Sequence, residues 1–130
     1  MRNFVLASLS LCALAGVAAA ETSAPRFINL QGGDMLSSNV VGLDVYNDQK
    51  NDLGKIQDIV FNGRAVKGYI LSVGGFLGVG TRYVAVDPSA VTVQYDAAAK
   101  KWRASMNAAK DQLKAAPEFK YQGQWQASKS

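Results

Sequence analysis

The sequence predicts a mainly β protein, a small β-barrel of five to six short antiparallel strands followed by one amphipathic α-helix. Three observations predict this fold class. Apolar and polar residues alternate in short runs between residues 39 and 105, which is typical of strands with one buried face. Turn-forming residues separate these runs at short intervals. After residue 105 the apolar residues recur every three or four positions, which is typical of a helix.

The first half of the predicted sheet contains a β-hairpin. Residues 39–46 alternate and indicate a first strand. The asparagine–glycine pair at 62–63 lies between two runs of β-forming residues, 55–61 and 64–73, and such a pair accepts the positive φ of a type I′ turn. Gly68 interrupts the second of these strands and predicts a bend of the kind that closes a small barrel.

The second half of the predicted sheet begins after a glycine-rich segment, residues 74–80. This segment is expected to connect strands, because it lacks the Gly-Lys-Ser/Thr ending of a phosphate-binding loop. Strands are predicted at 81–86, 91–95 and 101–105. Residues 87–90 predict a turn with proline at its second position.

One amphipathic helix is predicted after the last strand. Its apolar positions lie three, four and three residues apart, at Met106, Ala109, Leu113 and Ala116. Asn107 is expected to cap the N-terminus of this helix, and Pro117 is expected to end it. The polar tail that follows contains three aromatic residues.

The N-terminus has the layout of a secretory signal peptide. Arg2 supplies a positive charge, residues 4–17 are largely apolar, and alanines at 18–20 suit a signal peptidase, so we expect cleavage between Ala20 and Glu21. Two alternatives stay open, an uncleaved membrane anchor and a lipoprotein. As an anchor the segment would be short, because a spanning helix needs roughly 20 apolar residues. The expected product is periplasmic, without stable membrane insertion after cleavage.

The predicted organisation has four segments. A signal peptide (1–20) precedes a leader or linker (21–34), and a barrel domain (35–105) precedes the C-terminal helix and tail (106–130). The exported chain would contain no cysteine, so its fold would depend on its own hydrophobic core.

Composition excludes several classes of function. The 130 residues include no histidine, which removes the Ser-His-Asp and Cys-His nucleophile systems. The one cysteine, Cys12, leaves neither a disulfide framework nor a cysteine-ligated zinc site. A net charge of +4 without clustered basic residues does not favour nucleic acid. Glu21 and Glu118 form no obvious acid pair. We therefore expect no catalytic residue, no cofactor, no metal and no enzymatic activity.

An ordered set of short motifs is similar to the PRC-barrel family over roughly residues 35–95. The residues that carry the resemblance are Ser38, Gly42, Val45-Tyr46, Gly54-Lys55-Ile56, Asp58, the segment 73–80, and Val84-Ala85-Val86. The helix and the Leu113–Pro117 segment look like the extension of exported bacterial members. The resemblance implies a compact β-barrel that serves as an interaction or assembly module without catalysis of its own.

Five apolar residues are the candidate partner contacts. They lie in the glycine-rich segment and in the tail: Phe76, Leu77, Phe119, Tyr121 and Trp125. Aromatic residues of this kind are enriched at interface hot spots. An alternative for each group stays open, because the first two could plug the barrel and the tail aromatics could fold back over its end.

The leading hypothesis is a periplasmic, non-catalytic PRC-barrel protein that binds an unidentified protein partner or self-associates. The first alternative is a small-ligand or envelope-surface binding protein that uses the barrel interior or the basic stretch Lys100-Lys101-Trp102-Arg103. The second alternative is an Asp-dependent hydrolase, which would need two carboxylates converging in one pocket.

Overall fold

The structure is a computed structural model that describes residues 24–74 and 80–126. The predicted signal peptide, Phe76 and Leu77 therefore lie outside the described residues. The chain divides into two units, residues 1–31 and 32–130. The described part of the first unit contains no helix or strand. Among the helices of the described residues, none combines the length and the apolar character that crossing a bilayer requires.

The second unit is a mainly β domain with one six-stranded sheet. Its elements, in chain order, are α1 (Ser37–Val40), β1 (Asp44–Tyr46), β2 (Asp52–Asn62), β3 (Ala65–Val73), β4 (Arg82–Val86), β5 (Val91–Asp96), β6 (Lys101–Met106) and α2 (Lys110–Ala115), with 3₁₀ turns at Pro88–Ala90 and Gly123–Trp125. The spatial order is β4-β3-β2-β1-β6-β5. Neighbouring strands are antiparallel except β1 and β6, which are parallel.

The sheet is curled but open, so the prediction of a closed, wholly antiparallel barrel is wrong. Strands β4 and β5 form its two edges and do not pair with each other. Residues 87–90 nevertheless connect these edges, and so short a connection spans about 18 Å at most. The sheet must therefore curl strongly. The tail pairs with β4, where the Phe119 N–H donates to the Tyr83 carbonyl at 2.7 Å.

The hydrophobic core lies on the concave side of this curled sheet. Its fully buried side chains alternate along β1 to β4, as expected for strands with one buried face: Val45, Ile56, Leu71, Val73 and Val84. Val40 of α1 and Leu113 of α2 pack on the same cluster. The first strand is shorter than predicted. It begins at Asp44, and Val41, expected on its apolar face, is exposed.

The predicted hairpin between β2 and β3 is confirmed, but its turn type is different. Asn62 pairs with Ala65, so the central turn residues are Gly63 and Arg64. Only Gly63 has a positive φ, at 61°, whereas a type I′ turn needs positive φ at both central positions. One bulge in β2, at Gln57, and one in β3, at Lys67, shift the register of the hairpin, and they help to curl the sheet.

The C-terminal helix is much shorter than its apolar spacing predicts. Met106, the first residue of the predicted helical pattern, is instead the last residue of β6, where it pairs with Val91. The helix begins after Ala109, whose backbone N–H donates to the Gln112 side chain at 2.8 Å, and Asn107 is not its cap. Pro117 ends the helix as predicted, because the residue before a proline is pushed into extended backbone.

Arg82 of β4 holds the end of α2 against the sheet. Its guanidinium donates hydrogen bonds to the backbone carbonyls of Lys114 and, at 2.8 Å, of Ala116. Such bonds satisfy carbonyls at a helix C-terminus, and a cation also suits the negative end of the helix dipole. The contact fixes the point at which the tail leaves the helix.

Candidate functional site: the aromatic tail and its groove

The tail after Pro117 turns back and runs beside the edge strand β4. One antiparallel bridge, between Tyr83 and Phe119, anchors it to the backbone of the sheet. In β4, Val84 points into the core, so its neighbour Tyr83 points to the opposite, convex face. The tail therefore meets the sheet on the face that the core does not use.

The three predicted tail aromatics form one cluster on this convex face. Tyr121 packs edge-to-face on Tyr83, with ring centroids 5.0 Å apart, and on Phe119, at 4.9 Å. Trp125 lies 6.1 Å from Phe119. Each such pair contributes roughly 0.5–1.5 kcal/mol beyond its area burial. The structure thus brings the three tail residues together, and it adds Tyr83, which sequence reasoning missed.

Tyr121 contacts β2 as well as β4. Its hydroxyl donates to the Asp58 carboxylate at 3.2 Å, although its ring packs on β4. Burial of the ring, followed by the negative charge of Asp58, raises the pKa of Tyr121 to about 12. Ile70 of β3, which lies between these strands, is buried but outside the main core cluster. The tail therefore covers a second, small apolar patch on the convex face.

An open groove of about 610 Å³ lies beside the tail aromatics. Phe119 and Trp125 of the tail and Phe61 of the β2–β3 hairpin are among the side chains that line it. Other apolar or small lining residues come from the strands: Val60, Gly68, Ile70, Ala85 and Val86. Phe61 and Trp125 are 60% and 57% exposed. Asn62, Lys67 and Asp87 supply its polar part. We call this feature the aromatic groove.

The basic stretch Lys100-Lys101-Trp102-Arg103 lies at a second groove, of about 640 Å³. Lys100 lies in the turn before β6 with a φ of 54°, and Trp102 packs on Tyr95 at 5.3 Å. Arg103 donates through Nε to the Asp96 carboxylate at 2.8 Å, and this hydrogen bond lowers the pKa of Asp96. Strand β6, which contains Lys101 to Arg103, is not an edge of the sheet, because it lies between β1 and β5.

The carboxylates of the described residues do not gather into a metal-binding group. No set of three or more Asp, Glu, Cys or His side chains within 24–74 and 80–126 lies close enough to hold an ion. Asp58 faces Tyr121, Asp96 faces Arg103 and Asp44 faces Lys55 at 3.4 Å. These carboxylates have hydroxyl or cationic neighbours, which is typical of structural carboxylates on a surface.

An open, curled sheet of six strands with one small helix after the last strand is a PRC-type β fold. Comparison with known families agrees, since the PRC-barrel domain matches residues 32–110. The chain belongs to the PRC-barrel domain family. No curated protein matches the chain. The family match ends at Lys110, so nearly all of α2 and the whole aromatic tail lie outside it.

Proposed function

We propose that this protein is an exported, periplasmic interaction module without catalytic activity, and that it binds a protein partner through the aromatic groove. One observation carries the proposal. The tail lies beyond the family match and builds one wall of an apolar groove on the convex face of the domain. The family resemblance, which implies an interaction or assembly role, supports the same function. The signal-peptide layout of residues 1–20 supports export.

The composition of the aromatic groove favours a protein partner. Phe61 and Trp125 each leave more than half of their surface in water, so a ligand that covers them gains hydrophobic free energy. Lys67 and Asp87 contribute one positive and one negative group to the lining. Protein interfaces commonly have such an apolar centre with a polar rim. An apolar side chain of the partner would therefore enter between the two aromatic walls.

Rigid attachment of the tail supports a preformed surface. The Phe119 backbone is bound to β4, and Tyr121 is bound both to Tyr83 and to Asp58. Trp125 is thereby placed by packing against Phe119. A wall that is already ordered costs less conformational entropy on binding than a disordered tail would.

Site-specific photocrosslinking in the native envelope tests this function. A photoreactive residue at position 125 should form an adduct with one discrete protein, and Phe61→Ser should abolish the adduct by removing the facing wall. The matched control carries the photoreactive residue at Asp111, an almost fully exposed position on α2, and should form no adduct. Equal adducts at both positions, or none at 125, would contradict the proposal. An adduct with a second copy would make the partner the protein itself.

The compartment has a separate test. Mass spectrometry of the protein from a periplasmic fraction should find an N-terminus at Glu21. An intact Met1 in the membrane fraction would instead show an uncleaved anchor.

A further inference from the structure

The groove of about 640 Å³ over β1, β6 and β5 lies on the convex face of the sheet. Ala104 and Val45 are buried in the core, so their neighbours Arg103, Ser105 and Tyr46 point to the other side. Thr92 and Gln94 of β5 are exposed on either side of Val93, which packs against the core. We call this feature the polar groove.

Polar side chains in the polar groove form rows across the three strands. Tyr46 lies beside Ser105, and Ser105 lies opposite Thr92, so three hydroxyls follow one another across β1, β6 and β5. Neighbouring strands are about 4.8 Å apart, which sets the spacing of the backbone positions in this row. Gln94 lies opposite Arg103 in the adjacent row. Hydroxyl and amide groups in such an array can each donate and accept a hydrogen bond.

The polar groove carries a net positive charge. Lys50 and Lys101 line it, and the ammonium group of neither forms an ion pair with a described residue. Arg103 binds Asp96 through Nε, which leaves its terminal Nη groups with donors to spare. The carboxylate of Asp44 is neutralised by Lys55 at 3.4 Å. An anionic ligand therefore complements these groups.

Charge alone does not describe the groove, because its hydroxyl and amide groups also need partners. A ligand with only a phosphate or carboxylate would pair with the lysines and leave the hydroxyl row unused. The Tyr46 ring, 41% exposed, adds an apolar platform of the kind on which a sugar ring can lie. Carboxylates alternating with hydroxyl-bearing rings would satisfy the cations, the hydroxyl row and the ring together.

We propose that the polar groove binds an anionic polysaccharide chain, with Lys50, Lys101 and Arg103 pairing with its carboxylates. Ser105, Thr92 and Gln94 then bind the sugar hydroxyls. The groove volume lies in the range of ligand pockets, so it accommodates a short stretch of the chain. This site involves different strands from the aromatic groove, and it does not depend on a protein partner.

Calorimetric titration of the full protein with a hexameric oligogalacturonate tests the proposal. We expect a dissociation constant in the millimolar range or below at low salt. At 0.5 M salt the affinity should be at least tenfold weaker, because exposed charges are then screened. A neutral hexasaccharide should bind at least tenfold more weakly. Lys101→Gln and Gln94→Ala should each weaken oligogalacturonate binding at least threefold, whereas Lys120→Gln, a matched charge change in the tail, should leave it unchanged. Thermal unfolding of each variant shows whether it is folded, and only variants with the Tm of the wild type are compared.

Three results would overturn this inference. The first is equal affinity for the charged and the neutral oligosaccharide. The second is wild-type affinity in both groove variants. The third is a response to Lys101→Gln but not to Gln94→Ala, together with equally strong binding to vesicles that contain anionic phospholipid, because that pattern would indicate a membrane surface instead.

Discussion

One added methyl group at Gly68 should force β3 and β4 apart locally. A Cβ at this residue would lie 2.5 Å from the Val86 carbonyl oxygen, whereas ordinary contacts of a Cβ begin at 3.4 Å. In Gly68→Ala, β3 and β4 must therefore separate locally by about 0.9 Å. Overpacking of this kind costs about 1–3 kcal/mol, which outweighs the 0.4–1 kcal/mol that alanine gains by restricting the unfolded chain. We expect a net destabilisation of about 1–2 kcal/mol.

Urea unfolding of Gly68→Ala measures this cost, and Gly80→Ala is the matched control. Among the described residues, no heavy atom lies within 4 Å of the ideal Cβ of Gly80, and its φ is not positive, so its substitution should be neutral or slightly stabilising. For a domain of this size, 1 kcal/mol corresponds to roughly 4–8 °C in Tm. The reasoning is refuted if the two variants are equally stable. Because Gly68 and Val86 also line the aromatic groove, partner crosslinking from position 125 should weaken in the same variant.

Three further predictions concern side-chain contacts. Tyr121→Phe should lower the free energy of unfolding by about 0.5–1.5 kcal/mol at neutral pH by removing the hydrogen bond to Asp58. Since the folded-state pKa of Tyr121 is raised from 10.0 to about 12, its contribution is present below pH 10 and is lost as the pH rises towards 12. Urea titrations at pH 9 and 12 should therefore show that Tyr121→Phe loses less unfolding free energy between these two pH values than the wild type does. An equal loss in the two proteins would contradict the assignment. Arg82→Met should cost about 1–3 kcal/mol and speed amide exchange in α2, because two backbone carbonyls lose their donor; wild-type protection would show that the contact is dispensable. Arg103→Gln should let the pKa of Asp96 rise towards 3.8, as measured by NMR titration of its carboxyl carbon, and a fixed midpoint would exclude Arg103 as the cause.

The two grooves give the convex face two separate binding surfaces on one curled sheet. The aromatic groove lies over β2, β3 and β4, and the polar groove lies over β1, β5 and β6. Their linings share no residue, so each can be inactivated without touching the other. If both proposals hold, the protein would link a protein partner to an anionic polysaccharide.

Local sequence patterns determined the strands of this protein. Alternation of apolar with polar residues is a property of neighbouring residues, and it located β5 and β6 to within a residue. The hairpin turn and the end of α2 follow from residues that restrict or release the backbone, Gly63 and Pro117. The order of the motifs over residues 35–95 was also enough to recognise the PRC-barrel family, whose domain matches residues 32–110 of this chain.

Contacts between distant residues decided the rest. Helical spacing assigned Met106 to a helix, yet its pairing with Val91 keeps it in the sheet, because tertiary pairing overrides a weak local preference. The sequence by itself could not place Phe119 beside Tyr83, so it could not show that the tail pairs with the edge strand β4. The polar groove exists only because the sheet places β1 beside β6, and the aromatic groove exists only because the tail returns to β2, β3 and β4. Alternation can assign a residue to a face, but it cannot show which residues of other strands share that face.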